Sequence, residues 1–253
     1  CRAVQAVADL DAERLTDSDI TNRYSNINTY MYSVNTGAVE DNYKKRNFSI
    51  WSNDIKEIGL NNLHVGLLKE SGDVNLVLLG ENTYQGATVS KGGKLQIVKG
   101  VAGDVFADGS GAEVELNGKS KNVVAAGGGL VKISDRMDIS SFNNCTVDVE
   151  ANPHLQAANL IGTESVVGVE GCVMALDESA VDIDLNKRES FIKGSLVEEG
   201  SGSINLSLSN GATWQNYPSY SYFDGRVYDS IIFTEADNNW HSKYTGLSNG
   251  SLS

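Results

Sequence analysis

Short runs of alternating apolar and polar residues recur through the middle of the chain, and this pattern limits the possible folds most strongly. The runs are Val74–Leu78, Lys94–Ile97, Glu113–Asn117, Val131–Ile133, Cys145–Glu150, Val167–Val169, Val181–Asn186 and Ile204–Ser209. Alternation with a period of two is typical of a strand that buries one face. One apolar marker taken from each run gives steps that average about 19 residues, the length of one coil in a solenoid. The markers are Val74, Leu95, Val114, Val131, Val147, Val167, Val181 and Ile204.

Turn-forming residues separate the runs. They include Gly92-Gly93, Gly109-Ser110-Gly111, Gly127-Gly128-Gly129, Asn143-Asn144 and Gly200-Ser201-Gly202. The chain has 26 glycines but only 2 prolines, which suits many tight corners. The spacing predicts a right-handed parallel β-helix. A sandwich or jelly roll stays open as an alternative, although its hairpins favour Asn-Gly turns, and this zone has only Asn117-Gly118 and Asn210-Gly211.

The pattern divides the chain into three parts. Residues 1–72 are the least regular and are predicted to form a cap, with Ala3–Leu15 a candidate for a short helix. Residues 73–214 are predicted to form the parallel β-helix. Residues 215–253 hold an aromatic-rich insertion, and Tyr244–Leu252 (YTGLSNGSL) is predicted to begin a final rung.

The chain is acidic, with a formal net charge of −13 over 253 residues. Such a surface disfavours nucleic acid and anionic lipid as partners and favours solubility. No apolar run is long enough to cross a bilayer, so we expect no membrane insertion by this fragment. The cysteines Cys1, Cys145 and Cys172 suggest neither a metal cluster nor a disulfide scaffold, and a Cys145–Cys172 bridge stays open.

Motifs for enzyme chemistry are scarce. The histidines His64, His154 and His241 are isolated, so no metal or other cofactor is predicted. The glycines 127–129 precede a strand and lack a following Gly-Lys-Ser/Thr, which indicates a corner and not a phosphate loop. Carboxylates that a β-helix enzyme would use occur at Asp104, Asp108, Glu113, Glu115, Asp148, Glu150, Asp182 and Asp184.

Alternation projects Glu113/Glu115, Asp148/Glu150 and Asp182/Asp184 outward, and if their rungs stack they form an acidic ladder with Lys94 and Lys132 nearby. Weak Ca²⁺ binding and catalysis are possible roles for such a ladder. The favoured interpretation is solvated charge that keeps sheets from pairing. We therefore do not expect an enzyme, and no spacing indicates a particular acid–base pair.

Aromatic residues crowd the segment that follows the predicted solenoid. The candidate binding residues are Trp214, Tyr217, Tyr220, Tyr222, Phe223 and Trp240. Tyrosine and tryptophan offer rigid contact area to sugars or protein pockets. The alternative is a packed lid over the last rung, with Tyr228–Phe233 (YDSIIF) as its strand.

The repeat phrases resemble those of autotransporter (type V secretion) passenger domains. The segments that carry the resemblance are Glu81–Val98 (ENTYQGATVSKGGKLQIV) and Ile204–Trp214 (INLSLSNGATW). It extends over about Asn75–Trp214, plus the last few residues. The insertion after Trp214 departs from the usual phrase, and the Gly-Asp-Ser-Gly motif of proteolytic passengers is missing.

The resemblance implies a secreted or surface-exposed β-helical adhesin at the bacterial outer membrane, held there by a barrel outside this chain. Its partners would be a surface protein or glycan of a host or bacterium, or a second copy of itself. Polar ladders that include Asn205 and Ser207 would serve self-association. A carbohydrate-active β-helix enzyme and a passive structural stalk remain as alternatives.

Overall fold

The computed structural model describes most of the central chain and shorter pieces on either side. The described residues are 2–4, 12–14, 24, 29–34, 40–41, 44–45, 48–51, 54–57, 64–69, 75–137, 163–216 and 231–233. All regular elements in these ranges are β-strands, and the described residues include no helix that could cross a membrane. The expected all-β class is confirmed, with parallel sheets as its main component.

The first sheet has eight described strands, and each pairs in parallel with its neighbours. In spatial order they are β1 (Arg2–Val4), β6 (Phe48–Trp51), β8 (Asn75–Leu78), β10 (Gly93–Ile97), β12 (Ala112–Leu116), β15 (Leu130–Ser134), β20 (Ala180–Leu185) and β23 (Ser203–Leu208). Spatial order follows chain order, so each strand is laid beside the previous one after the chain has passed through another sheet.

The second sheet also has eight described strands. They are β2 (Ala12–Arg14), β3 (Thr29–Val34), β7 (His64–Lys69), β9 (Thr88–Ser90), β11 (Val105–Asp108), β14 (Val123–Ala126), β19 (Val173–Ala175) and β22 (Leu196–Glu198). The first pair, β2 with β3, is antiparallel, and the other pairs are parallel. From β8 to β12 the chain alternates strictly between the two sheets.

A third sheet begins with a strand that lies along the chain between β12 of the first sheet and β14 of the second. Its members are β13 (Lys119–Ser120), β18 (Gly168–Glu170), β21 (Phe191–Lys193), β24 (Thr213–Asn216) and β25 (Ile231–Phe233). The pairing is parallel until β25, which runs antiparallel to β24. Two small antiparallel pairs complete the described strands: β4 (Glu40–Asp41) with β5 (Lys44–Lys45), and β16 (Arg136–Met137) with β17 (Thr163–Glu164).

The register of the first sheet confirms part of the predicted repeat. Equivalent inner positions are held by Leu76, Leu95, Val114, Val131, Val181 and Ile204. Val131 pairs directly with Val181, 50 residues later, so the prediction that Val147 and Val167 fill this column is wrong. Val167 directly precedes β18 of the third sheet, and Val147 and the predicted marker Val74 lie outside the described residues.

The long step has a structural cause. After β15 the chain enters β16 and returns through β17, its antiparallel partner, before it reaches β18 and β19. β15 and β20 are therefore direct neighbours in the first sheet, although β16 to β19 and residues 138–162 lie between them along the chain. The run Cys145–Glu150 therefore does not enter this column between Val131 and Val181, and alternation alone does not show which runs do.

The main core lies between the three sheets. It stacks aliphatic side chains from successive strands, such as Leu95, Val114 and Val131 of the first sheet and Val105 and Val123 of the second. All five are fully buried. Parallel strands buried this way derive their stability from apolar area removed from water, and each strand covers the side chains of the one before it.

A second apolar cluster lies on the opposite face of the second sheet. It contains Leu68, Val89, Phe106, Val124, Met174 and Val197, each 4% exposed or less. The ring of Tyr24 meets Phe106 edge-on at a centroid distance of 5.1 Å, and its hydroxyl donates to Asp108 Oδ2 at 2.7 Å. The second sheet is therefore buried on both faces, which explains its continuous apolar sequences such as Val123-Val124-Ala125.

Apart from the separate pair β4 and β5, the described strands of residues 1–72 join the same sheets. β1 and β6 extend the first sheet, and β3 and β7 extend the second. The expected helix over Ala3–Leu15 is wrong where the segment is described, because β1 and β2 occupy both of its ends. Alternating apolar residues are few there, and pairing with neighbouring strands outweighs local helix propensity. The division at residue 72 stays a prediction.

A glycine pair tests how tightly successive corners stack. Gly194 has φ of 149°, and a Cβ there would lie 1.9 Å from the carbonyl oxygen of Gly171 in the coil below, whereas a Cβ on Gly111 (φ 86°) would meet no atom within 4 Å. We expect Gly111→Ala to cost about 1 to 2 kcal/mol from backbone strain alone. Gly194→Ala should cost more than about 3 kcal/mol, because the steric clash adds to the strain. Urea unfolding measures both, and equal losses would contradict the close stacking.

Lys69 tests the cost of charge in the core. Its side chain is fully buried on the face that Leu67 shares, and Nζ donates to the carbonyl oxygen of Gly92 at 2.5 Å. Burial lowers the pKa of Lys69 from 10.5 to about 8. Because the folded pKa lies below the unfolded one, the penalty is fully present below pH 8 and fades as the pH rises toward 10.5.

We therefore expect Lys69→Met to raise the free energy of unfolding at pH 7. The relieved penalty is on the order of 3 kcal/mol, and the lost hydrogen bond offsets about 1 kcal/mol of it. Urea unfolding at pH 7 and pH 10 should show a gap between variant and wild type that narrows at the higher pH. A variant less stable than the wild type at pH 7 would contradict the expectation.

Candidate binding surface

The outer face of the first sheet carries a column of polar residues in strict register. Gln96, Glu115, Lys132, Asp182 and Asn205 are successive partners on β10, β12, β15, β20 and β23. Their neighbours in each strand point inward, as alternation requires, and are buried except for Leu206 beside Asn205, which is half-buried. Adjacent members of the column are thus separated by about 4.8 Å, the spacing of neighbouring strands.

Ion pairs neutralise the carboxylates at one end of this face. Glu113 Oε1 lies 3.0 Å from Lys132 Nζ and 3.6 Å from Lys94 Nζ. Lys94 also contacts Glu115, which accepts a hydrogen bond from Gln96 Nε2 at 2.6 Å. Two lysines and two glutamates therefore form one connected network across β10, β12 and β15.

The network shifts the pKa values of its members. Burial alone would raise the pKa of Glu113, but the hydrogen bond from Lys132 and the charges of Lys94 and Lys132 outweigh burial, and the pKa lies below its usual value. The hydrogen bond to Glu113 is the main reason that the pKa of Lys132 is raised, and the charges of Glu115 and Asp182 add to it. Both residues are therefore held in their charged forms.

The predicted acidic ladder is wrong as a continuous feature. Lys132 lies between Glu115 and Asp182 in the column, so the charges alternate in sign. Asp148 and Glu150 lie outside the described residues. Sequence alternation correctly placed Glu113, Glu115, Asp182 and Asp184 outward, but it did not show that β15 and β20 are direct neighbours.

A shallow groove occupies the other end of the face. Its volume is about 300 Å³, and its polar lining comprises Lys132, Ser134, Asp182, Asp184, Asn205 and Ser207. Asn205 Nδ2 donates to Asp182 Oδ1 at 2.7 Å, and Asp184, Asn205 and Ser207 are exposed. A second depression of about 220 Å³ shares Lys132 and Ser134 and continues toward Glu115 and Arg136. The polar face is thus a long, uneven surface centred on Lys132.

Sequence reasoning identified part of this surface. Asn205 and Ser207 were expected on an outer polar ladder, and Lys94 and Lys132 on its polar side. Gln96, Ser134 and the groove were missed. Writing the alternating runs beneath one another in register would have found Gln96 and Ser134, since they share columns with Glu115 and Asp184.

Of the six aromatic candidates for binding, the structure describes one. Trp214 is fully buried, and its Nε1 donates to the carbonyl oxygen of Gly194 at 2.8 Å, so its ring is not presented to a partner. Tyr217, Tyr220, Tyr222, Phe223 and Trp240 lie outside the described residues. The strand β25 falls within the predicted lid strand Tyr228–Phe233 and pairs with β24, which supports the lid interpretation.

The remaining carboxylate and metal candidates lie apart from the groove. Asp108 is buried beneath Tyr24, and Asp104 accepts hydrogen bonds from the backbone and side-chain amides of Asn122 at 3.1 Å each. Burial raises the pKa of Asp104, and these hydrogen bonds oppose the shift. His64 Nδ1 lies 2.8 Å from Glu57 Oε1. The described part of the chain contains no group of three or more His, Cys, Asp or Glu residues arranged to hold a metal.

Two smaller expectations also have an outcome. Gly127 and Gly128 have φ of 58° and 84° and link β14 to β15, which confirms a corner there. Cys172 is buried, whereas Cys1 and Cys145 lie outside the described residues, so the bridge between Cys145 and Cys172 stays untested.

Acid sensitivity tests the charge network. Because the folded pKa of Glu113 lies below the reference value of 4.5, its contribution to stability is present above that pH and is lost as the pH falls through the folded pKa. We expect the urea midpoint of the wild type to fall more steeply below pH 4.5 than that of Glu113→Gln. Glu189→Gln is the matched control, since Glu189 is exposed and makes no ion pair with the described residues. Identical pH profiles for Glu113→Gln and the wild type would contradict the network.

The chain was compared with protein-family models, curated proteins and solved structures. No protein-family model, no curated protein and no solved structure matches the chain. The resemblance to passenger domains therefore rests on the repeat phrases of the sequence alone.

Proposed function

We propose that the chain is a right-handed parallel β-helix of the autotransporter passenger type, secreted or displayed at a bacterial surface, and that it acts in adhesion or self-association. The helical course of the chain is supported by three mainly parallel sheets, which the chain visits in rotation from β12 onward, and by equivalent positions such as Leu95 and Val114 stacked in register. The right hand is the one that parallel crossover connections adopt almost without exception.

The observation that carries the functional proposal is the groove on the polar face. The residues around it carry hydrogen-bonding groups of four kinds on a rigid sheet, namely an ammonium, a carboxylate pair, an amide and hydroxyls. Groups held by strands lose little conformational entropy when a partner binds, so a shallow polar face can bind over many weak contacts. The groove itself is lined mostly by carbon atoms, so a partner would gain apolar contact within it and hydrogen bonds to the polar groups around it.

The ion pairs and hydrogen bonds of Glu113 and Glu115 favour a binding function over the alternative, a carbohydrate-active enzyme. A general acid or base needs a carboxyl group whose proton can move at the working pH. Glu113 is held as a carboxylate by Lys132, and Glu115 is engaged by Lys94 and Gln96. A passive stalk would fold in the same way, but changes to the groove would not alter binding to any partner.

A bulky substitution inside the groove tests the proposal. Beads coated with the chain should clump or attach to host or bacterial cells, and Ser207→Trp should weaken this about tenfold by filling the groove, a change of about 1.4 kcal/mol. Ser110→Trp is the control, because Ser110 is exposed in the turn between β11 and β12, away from the groove. Adhesion by none of the beads would contradict the adhesin proposal, and full adhesion by the Ser207 variant would exclude the groove as its site.

A further inference from the structure

The polar face of the first sheet is electrically uneven along its length. Toward β10 and β12, Glu113 and Glu115 are neutralised by Lys94 and Lys132. Toward β20 and β23, the groove holds Asp182 and Asp184, and neither forms an ion pair with the described residues. The acidic end of the face therefore retains its negative charge.

Lys132 is the cation nearest to that end by register, since it is the strand partner of Asp182. Its ammonium group forms an ion pair with Glu113 of β12, at 3.0 Å from Oε1. The hydrogen bond that Asp182 accepts comes from Asn205, a neutral amide. Asp184 is exposed on the same strand two residues further along. Lys132 is thus shared between Glu113, with which it forms an ion pair, and the groove, where the charge of Asp182 also acts on it, so one shared cation faces two carboxylates.

A second copy of this chain is a poor occupant for the groove. The chain carries a net charge of −13, so two copies repel each other at low salt. A symmetric pairing across the groove would bring Asp182 and Asp184 toward the same residues of the other copy. Like charges placed together in an interface cost binding energy and select against that partner.

From this charge pattern we infer that the groove binds a cationic segment of a different protein, with lysine or arginine at alternate positions of an extended strand. The inference rests on the proposed adhesive function and names its partner. Asp182 and Asp184 project from one side of β20 about 7 Å apart, which is the repeat of alternate side chains in an extended chain. Such a segment would place one cation opposite each aspartate, and Asn205 and Ser207 would hydrogen-bond its polar groups.

The test measures binding of a synthetic peptide of alternating lysine and threonine by fluorescence anisotropy. We expect wild-type chain to bind it, and Asp182→Asn with Asp184→Asn to weaken the affinity about tenfold. The control removes the same two charges elsewhere by Glu178→Gln with Glu189→Gln, both exposed in turns outside the first sheet, and should weaken it less than about twofold. Equal losses in both double variants would mean unspecific attraction and would overturn the inference, as would no binding by the wild type.

Bead adhesion with the same variants separates this inference from the function on which it rests. Beads that attach to cells only when Asp182 and Asp184 are intact support both. Beads that attach equally well with and without the two aspartates uphold adhesion and overturn the cationic partner. Wild-type beads that clump with one another and lose clumping in the aspartate variant also overturn it, since the groove would then take a second copy. A chain that binds the peptide through Asp182 and Asp184 but attaches to nothing supports the charge assignment and overturns the adhesin.

Discussion

Fixed register between parallel strands is the constraint on which the rest of this structure depends. Because Leu95, Val114 and Val131 occupy one inner column, a slip of a single residue would turn Lys94 and Gln96 into the core. The same register that buries the aliphatic side chains therefore determines which polar residues meet on the outside. The ion-pair network of Glu113 and the groove beside Asp182 are by-products of core packing, since no residue can move along the face without moving its inner neighbours.

The sequence could predict which residues point inward or outward, but not which strands pair. Period-two alternation was enough to identify most strands of the first sheet and the outward direction of Glu113, Asp182 and Asn205. It was not enough to say which strands become neighbours, because that depends on whether a segment is a coil or an insertion. The register from Val131 to Val181 passes over the run at Cys145–Glu150 for this reason, and the expected acidic ladder failed with it.

The second sheet was less visible in the sequence for a different reason. Its strands bury both faces, so Val105-Phe106-Ala107 reads as a short apolar run without alternation, which helices and turns also contain. Tyr24, 84 residues before its hydrogen-bond partner Asp108, shows that distant chain covers the outer side of that sheet. The sequence holds no local signal for a contact of that separation, and the groove, which needs three strands from distant parts of the chain, is hidden in the same way.

The antiparallel strand β25 has a consequence for what can pair with the edge of the third sheet. The edge strand of a parallel sheet is a template on which another chain can add strands, and unprotected edges of this sort promote aggregation. In the third sheet the place beside β24 is taken by a strand that runs the other way. The reversal ends the parallel pairing at this edge, so no further parallel strand can be added directly beside β24.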